Sequence, residues 1–140
     1  FAADRRDHLD RLIEPTLARG GVVISDRYYH SSLAYQSLSV GLDRVASLNA
    51  DFRAPDLTIF LELSPQSCLD RILARGGDLE RFETLPRLEA IHNAYEAVLA
   101  LCVRRGEAVV RVDASLTRAE IHRQIVDAIE TRFSTGTTGL

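Results

Sequence analysis

The residues best suited to chemistry lie at the end of a short apolar run. Val22 to Gln36 reads V-V-I-S-D-R-Y-Y-H-S-S-L-A-Y-Q. Four apolar or small residues, long enough for a buried parallel strand, lead into an acid and an arginine, and the chain then turns helix-like with a hydroxyl and aromatic face. In open α/β sheets ligands bind in the crevice beyond the carboxyl ends of the strands, so Asp26 and Arg27 would face the place where a phosphorylated substrate could sit. Taken alone, a strand-end ion pair that only ties down a loop explains these two residues equally well. Other arginines stand at loop mouths: Arg5 near the amino end, and Arg71, Arg75 and Arg81 around Gly76-Gly77. Guanidinium forks match phosphate oxygens bidentately and keep their charge, which suits them to phosphoryl transfer. Any one helical arginine is usually solvated surface; a group of them near element ends favours a site. His8, His30, His92 and His122 show no ligand spacing and read as surface or loop residues. The acids lack the paired-carboxylate pattern of a hydrolase. Cys68 and Cys102 lie far apart without metal-ligand spacing and read as buried or half-buried free thiols of a reducing compartment.

The elements that would position these residues alternate. From Ala2 to Arg19, Leu9, Leu12, Ile13 and Leu17 recur at helical spacing, Pro15 should kink or break that helix, and Arg19-Gly20-Gly21 should close it. A first strand is expected at Val22 to Ser25. Ser31 to Leu38 reads as a helix, Gly41 breaks it, and a short helix runs from Asp43 to Asn49. Leu57 to Leu63 is a second strand, ending at Ser64-Pro65, where Ser64 caps a helix with Pro65 at its first position. That helix covers Gln66 to Arg75. A dense polar stretch follows, then a long helix from Leu85 to Arg105 and a third strand from Ala108 to Val112. Thr117-x-x-Glu120 is a capping box for a last helix to about Phe133. Strands alternating with helices predict an α/β fold, a parallel sheet with both faces covered.

Composition sets bounds on function. The chain has 140 residues, 46% hydrophobic and 26% charged, enough for one domain with a real core. Its longest apolar run is too short to cross a bilayer, and no secretory signal is visible at the amino end. A net charge of −3 gives no global field to recruit nucleic acid, so anion binding must come from local arginine clusters. All 17 basic residues are arginines. With no lysine there can be no G-x-x-x-x-G-K-[ST] loop, and no two glycines have that spacing. The absence of Met at position 1, and first residues that already read as mid-helix, lead us to expect a portion of a longer chain.

Four stretches carry a resemblance. F-A-A-D-R at Phe1 to Arg5, D-R-Y-x-x-S-S-L-A-Y-Q at Asp26 to Gln36, P-D-L-T-I-F-L-E-L at Pro55 to Leu63, and R-I-L-A-R-G from Arg71 followed by E-R-F-E from Glu80 closely resemble thymidylate kinase of the bacterial type, in order and spacing, from Phe1 to about Phe133. The resemblance implies a P-loop nucleoside monophosphate kinase-like three-layer fold with a parallel sheet, here without its first strand and P-loop. Residues 1–133 would be the carboxyl-terminal part of one kinase domain, with a lid at about 75–83, and residues 134–140 a disordered tail.

The resemblance further implies transfer of the ATP γ-phosphoryl to dTMP, giving dTDP, with Mg2+, in a cytoplasmic enzyme that is a homodimer when complete and engages neither nucleic acid nor membrane. Phe1 would stack on thymine and Arg5 would hydrogen-bond the base. Arg27 would reach the acceptor phosphate, with Asp26 orienting that phosphate site or the metal. Ser32 and Gln36 would line the base pocket, and Tyr35 would stand against the sugar C2′. Arg71 would pack by the adenine, while Arg75 and Arg81, with Glu83 beside them, would belong to the lid. This lid, R-G-G-D-L-E-R, is one residue longer than the family's common R-G-E-L-D-R and has Glu80 for the aspartate. Ser39-Val40 replaces the usual glycine and arginine before Gly41. Two alternatives stand beside the kinase: a catalytically inert nucleotide-binding or dimerisation fragment, and another nucleoside or nucleotide kinase of the same architecture.

Overall fold

A computed structural model describes residues 2–75 and 84–134. Phe1, most of the expected lid including Arg81 and Glu83, and the tail from residue 135 lie outside the described residues. The amino-terminal helix forms in three pieces without a break: α1 (Ala2–His8), a π-helical turn (Leu9–Ile13) and α2 (Glu14–Ala18). The Glu14 N–H bonds to the Leu9 carbonyl, five residues back. Pro15, which has no N–H and would crowd the turn before it, thus sits just past a widened turn, the local irregularity at the site where a kink or break was expected, and the chain stays helical through it. Leu9 and Ile13 are buried, whereas Leu12, expected on the same stripe, is 52% exposed. The helix stops as the sequence predicts. Gly20 N–H bonds to Leu17 O at 2.9 Å and Gly21 N–H to Thr16 O at 2.9 Å, with Gly20 at φ 75. This Schellman turn satisfies carbonyls that would otherwise be left open. A Cβ on Gly21 would lie 2.7 Å from the Thr16 methyl, so a second glycine is required as well.

The expected first strand needs correction. Val22 to Ser25 belongs to no ladder, and Val22 and Ile24 are 85% and 92% exposed. The apolar run is strand-like in composition, but among the described residues no strand lies beside it to take its backbone groups.

The centre of the structure is helical. α3 (Tyr29–Val40) buries Tyr29, Leu33 and Ala34 against Val45 and Ala46 of α4 (Leu42–Leu48) and Val98 and Cys102 of α6 (Leu85–Arg104). Tyr29 and Leu33, like Val98 and Cys102, are spaced i and i+4, so each helix presents one stripe to the other. Gly41, at φ 84, ends α3 and begins α4.

The sheet has two strands among the described residues, β1 (Thr58–Glu62) and β2 (Val109–Asp113), paired in parallel from Thr58↔Val109 to Glu62↔Asp113. The crossover runs through α5 (Pro65–Ala74) and α6. Ser64 caps α5 by accepting from Ser67 N–H at 3.1 Å, and Thr117 with Glu120 forms both halves of the capping box that opens α7 (Arg118–Phe133). Both faces of the sheet were expected to be covered. Instead Val112 alone of the strand residues is fully buried and Leu61 is 53% exposed, because so narrow a sheet gives its helices little to lie on. Among the described residues no helix is long and apolar enough to cross a membrane.

Leu33 has no exposed surface and sits where three helices meet. Leu33→Ala is expected to destabilise the fold by about 3 kcal/mol through lost transfer energy and a cavity. Urea unfolding checks it: the midpoint should fall with the slope unchanged.

Candidate functional site

The extended stretch delivers Asp26 and Arg27, both exposed, to the amino end of α3. Arg27 is the one non-glycine at positive φ among the described residues, at 65°. An arginine held there costs on the order of 1–3 kcal/mol, and such strain gathers at functional sites. The Ser25 hydroxyl donates to the Arg27 carbonyl at 2.7 Å and helps hold the turn. The Arg27 guanidinium lies 6.0 Å from the Tyr35 ring centre, one and a half turns into α3. Tyr35 in turn meets Tyr95 of α6 edge-on at 6.1 Å, and the Tyr95 hydroxyl is 3.0 Å from Ser31 Oγ. Burial pushes the Tyr95 hydroxyl pKa up, so it stays a neutral hydrogen-bonding group. This aromatic floor joins α3, α6 and, through Phe60 at 5.4 Å from Tyr95, β1.

Arg5 crosses from α1 to the same helix. Its guanidinium donates to Ser32 Oγ at 2.6 Å through Nη2, and to Asn49 Oδ1 through Nη1. It also stacks over Phe52 at 5.1 Å and Tyr28 at 5.5 Å. Partial burial lowers the Arg5 pKa and raises that of Tyr28, and the attraction between them opposes each shift. Asn49 is buried at the end of α4, where its Nδ2 donates to Val45 O at 2.7 Å, leaving its carbonyl oxygen for Arg5. Two aromatic contacts and two hydrogen bonds fix the guanidinium.

The structure therefore brings Arg5 to Ser32 and Arg27 to Tyr35, with Ser32, Tyr35 and the half-buried Gln36 along α3. Arg71 is placed apart, on α5, and donates to the Ala114 carbonyl at 2.7 Å just beyond β2. Beside it a cleft of about 460 Å3 opens at the carboxyl ends of both strands, lined by Glu62, Leu63, Ser64, Ser67, Asp113 and Ser115. Arg75 is exposed and caps the end of α5.

The sequence reading missed two groups. Asn49 carried no motif, since a polar residue ending a short helix is ordinary. The second is a correction: His30, read as a surface or loop residue, is 7% exposed in the first turn of α3, beside Cys102 and Glu107. No sequence spacing links positions 30 and 102; packing of α3 on α6 does. Cys102 is buried and Cys68 half-buried, both as free thiols, in line with expectation.

A parallel crossover with charged side chains at the strand ends and at the head of one helix is an α/β arrangement suited to binding an anionic ligand. The chain belongs to the thymidylate kinase family, whose model matches residues 1–125. It is 38% identical over 138 residues to a thymidylate kinase of Xanthomonas campestris pv. campestris (strain B100), covering 96% of this chain and 59% of the relative. Against the thymidylate kinase of Xanthomonas oryzae pv. oryzae (strain PXO99A) it is 41% identical over 134 residues, 94% of this chain and 57% of the relative. With that of Leptospira interrogans serogroup Icterohaemorrhagiae serovar copenhageni (strain Fiocruz L1-130) it shares 35% identity over 136 residues, 95% and 64%. The chain thus spans about three-fifths of the length of the curated relatives it matches.

Asn49→Ala should cost about 2 kcal/mol, because it deprives a half-buried guanidinium of its acceptor and the Val45 carbonyl of its donor. Chemical denaturation of the variant measures this directly. A change under about 0.5 kcal/mol would mean that water replaces both contacts freely.

Proposed function

We propose that the protein to which this chain belongs transfers the γ-phosphoryl group of ATP to dTMP, giving dTDP. Family membership supports the reading, and one observation carries it at the level of the site. The D-R turn holds Arg27 in a strained conformation over Tyr35, on the same helix whose Ser32 accepts from a second arginine, Arg5. Guanidinium forks gathered along one helix suit phosphate oxygens, and in phosphoryl transfer positioning and charge stabilisation do most of the work.

In this reading Arg27 grips the acceptor phosphate. Arg5, Ser32 and Gln36 recognise the base, with Phe1 stacked upon it. Tyr35 stands at the sugar C2′, where an added ribose hydroxyl would lose its solvation. Arg71 borders the adenine, its carbonyl partner Ala114 lying between the cleft residues Asp113 and Ser115. Arg75, Arg81 and Glu83 act from a lid that excludes water on closing. Mg2+ would come with the nucleotide, and the exposed Asp26 carboxylate is a suitable hard ligand, because this ion takes one or two carboxylates beside phosphate oxygens. When bound, it neutralises charge on the phosphates. Residues 1–133 then form the carboxyl-terminal part of one kinase domain. The same reading carries a cytoplasmic location and a homodimeric complete enzyme; two free thiols are in keeping with a reducing compartment.

For the 140 residues by themselves we propose no turnover. Without a lysine, nothing in them can form the loop whose backbone N–H groups and ammonium cradle the β and γ phosphates. A coupled assay of the isolated chain should show no dTMP-dependent ADP release above a heat-killed control; clear release would refute this.

In the complete enzyme Arg27→Ala should reduce kcat/KM for dTMP by about a hundredfold or more, by removing a charge-assisted phosphate contact. Steady-state kinetics decide it. Turnover within about twofold of the parent would leave Arg27 as a residue that only shapes the turn.

A further inference from the structure

We propose that His30, Cys102 and Glu107 form a binding site for a borderline-soft divalent cation, with zinc the ion best matched to this donor set. The cluster shares no residue with the substrate pocket proposed above. Its three donor atoms, one nitrogen, one sulfur and one oxygen, all lie within 4.8 Å of one another. The spacing between His30 Nε2 and Glu107 Oε2 is 3.4 Å. That is long for a hydrogen bond between such groups, which prefers about 2.9 Å. It is close to the separation of two ligand atoms on a tetrahedral zinc with bonds of about 2.0–2.1 Å.

The fold builds this cluster from both ends. His30 sits in the first turn of α3 and Cys102 in the last turn of α6, and those two helices share the core. Glu107 is brought back over Cys102 by the turn that ends α6. Glu107 N–H bonds to Cys102 O at 3.0 Å and Gly106 N–H to Val103 O at 3.0 Å, with Gly106 at φ 77. This is the hydrogen-bond pattern seen after α2, here placing a carboxylate where a thiol and an imidazole already point.

Orientation is also fixed. The Tyr29 hydroxyl donates to the same Glu107 oxygen at 2.5 Å, and the Tyr29 ring stacks on the His30 ring at 4.2 Å with 23° between planes. Such an outer partner holds a ligating carboxylate in place. The Glu107 and His30 side chains are only 8% and 10% exposed. Buried charges are ordinarily paired or bound to metal. The cationic groups that act on the cluster, Arg105 and Arg5, influence it by charge alone, and among the described contacts neither donates to the Glu107 carboxylate.

Binding would displace the Cys102 thiol proton, so that a thiolate, a neutral imidazole and a carboxylate face the cation. A thiolate and an imidazole select zinc over magnesium or calcium, which take oxygen ligands. Three protein ligands leave a fourth position for water. The ion would clip the head of α3, three residues after Arg27, to the end of α6.

The test uses the purified protein stripped of metal by a chelator. Titration with Co2+ should give one equivalent bound per chain, with the visible bands of a tetrahedral site and a thiolate-to-cobalt charge-transfer band that added Zn2+ abolishes. In competition with a chromophoric chelator, Cys102→Ser should weaken zinc binding by at least about a hundredfold, beyond what loss of an outer partner costs, and Tyr29→Phe by about tenfold. Cys68→Ser should change neither readout. Glu107→Gln, which keeps the shape of the side chain, should weaken zinc binding likewise and decides the matter if Cys102→Ser folds poorly. A parent protein without a charge-transfer band, a band that disappears in Cys68→Ser, or zinc affinity unmoved by Glu107→Gln would each overturn the site and leave a hydrogen-bonded cluster only.

Discussion

Close packing of α3 upon α6 is the contact on which the other features rest. Leu33 and Ala34 pack with Val98 and Cys102 in one buried cluster. Burying these side chains stabilises the fold at about 25 cal/mol per Å2 of apolar surface removed from water. It also fixes the direction in which α3 starts. One group of candidate functional residues hangs on that start: the strained Arg27 just before it, Ser32 and Tyr35 along it, and His30 in its first turn. A shift of α3 along α6 would separate Tyr35 from Tyr95 and His30 from Cys102 together.

Local patterns were legible in the sequence, and pairings across the chain were not. The capping box at Thr117, the Ser64-Pro65 helix start and the glycine stop after Arg19 all depend on residues within five positions of one another, and each formed as read. Strand β1 is one residue shorter at each end than its apolar run, while β2 is shifted by one. The Val22 to Ser25 run failed because strand formation needs a neighbour, and no composition supplies one. Pro15 was a milder case. Its cost was foreseen, but a local widening of the helix absorbed it, an option that spacing rules do not register.

The same distinction runs through the site. Asp26-Arg27 and the S-S-L-A-Y-Q face could be recognised because strand-end charge and helical spacing are local. The joining of Arg5 to Asn49 spans 44 positions and that of Tyr29 to Glu107 spans 78, and neither leaves a mark in the sequence. Histidine shows the difference most sharply. Its surface reading came from missing local partners, whereas burial is decided by what packs on top. The charge chemistry, in contrast, was fixed by composition. A chain whose every basic residue is arginine must grip anions with planar forks and not with ammonium groups.

The uncovered stretch from Val22 to Ser25 bears on how this polypeptide behaves in solution. Its Val22 and Ile24 side chains are almost fully exposed, and among the described residues its backbone belongs to no ladder. Unpaired backbone beside exposed apolar side chains is a place where a strand from elsewhere can add. Copies of the chain at high concentration would satisfy it with one another, by edge-to-edge addition that needs no sequence complementarity. Ile24→Lys would oppose that association by charge, and because Ile24 is exposed and outside the buried cluster the helical core would be untouched.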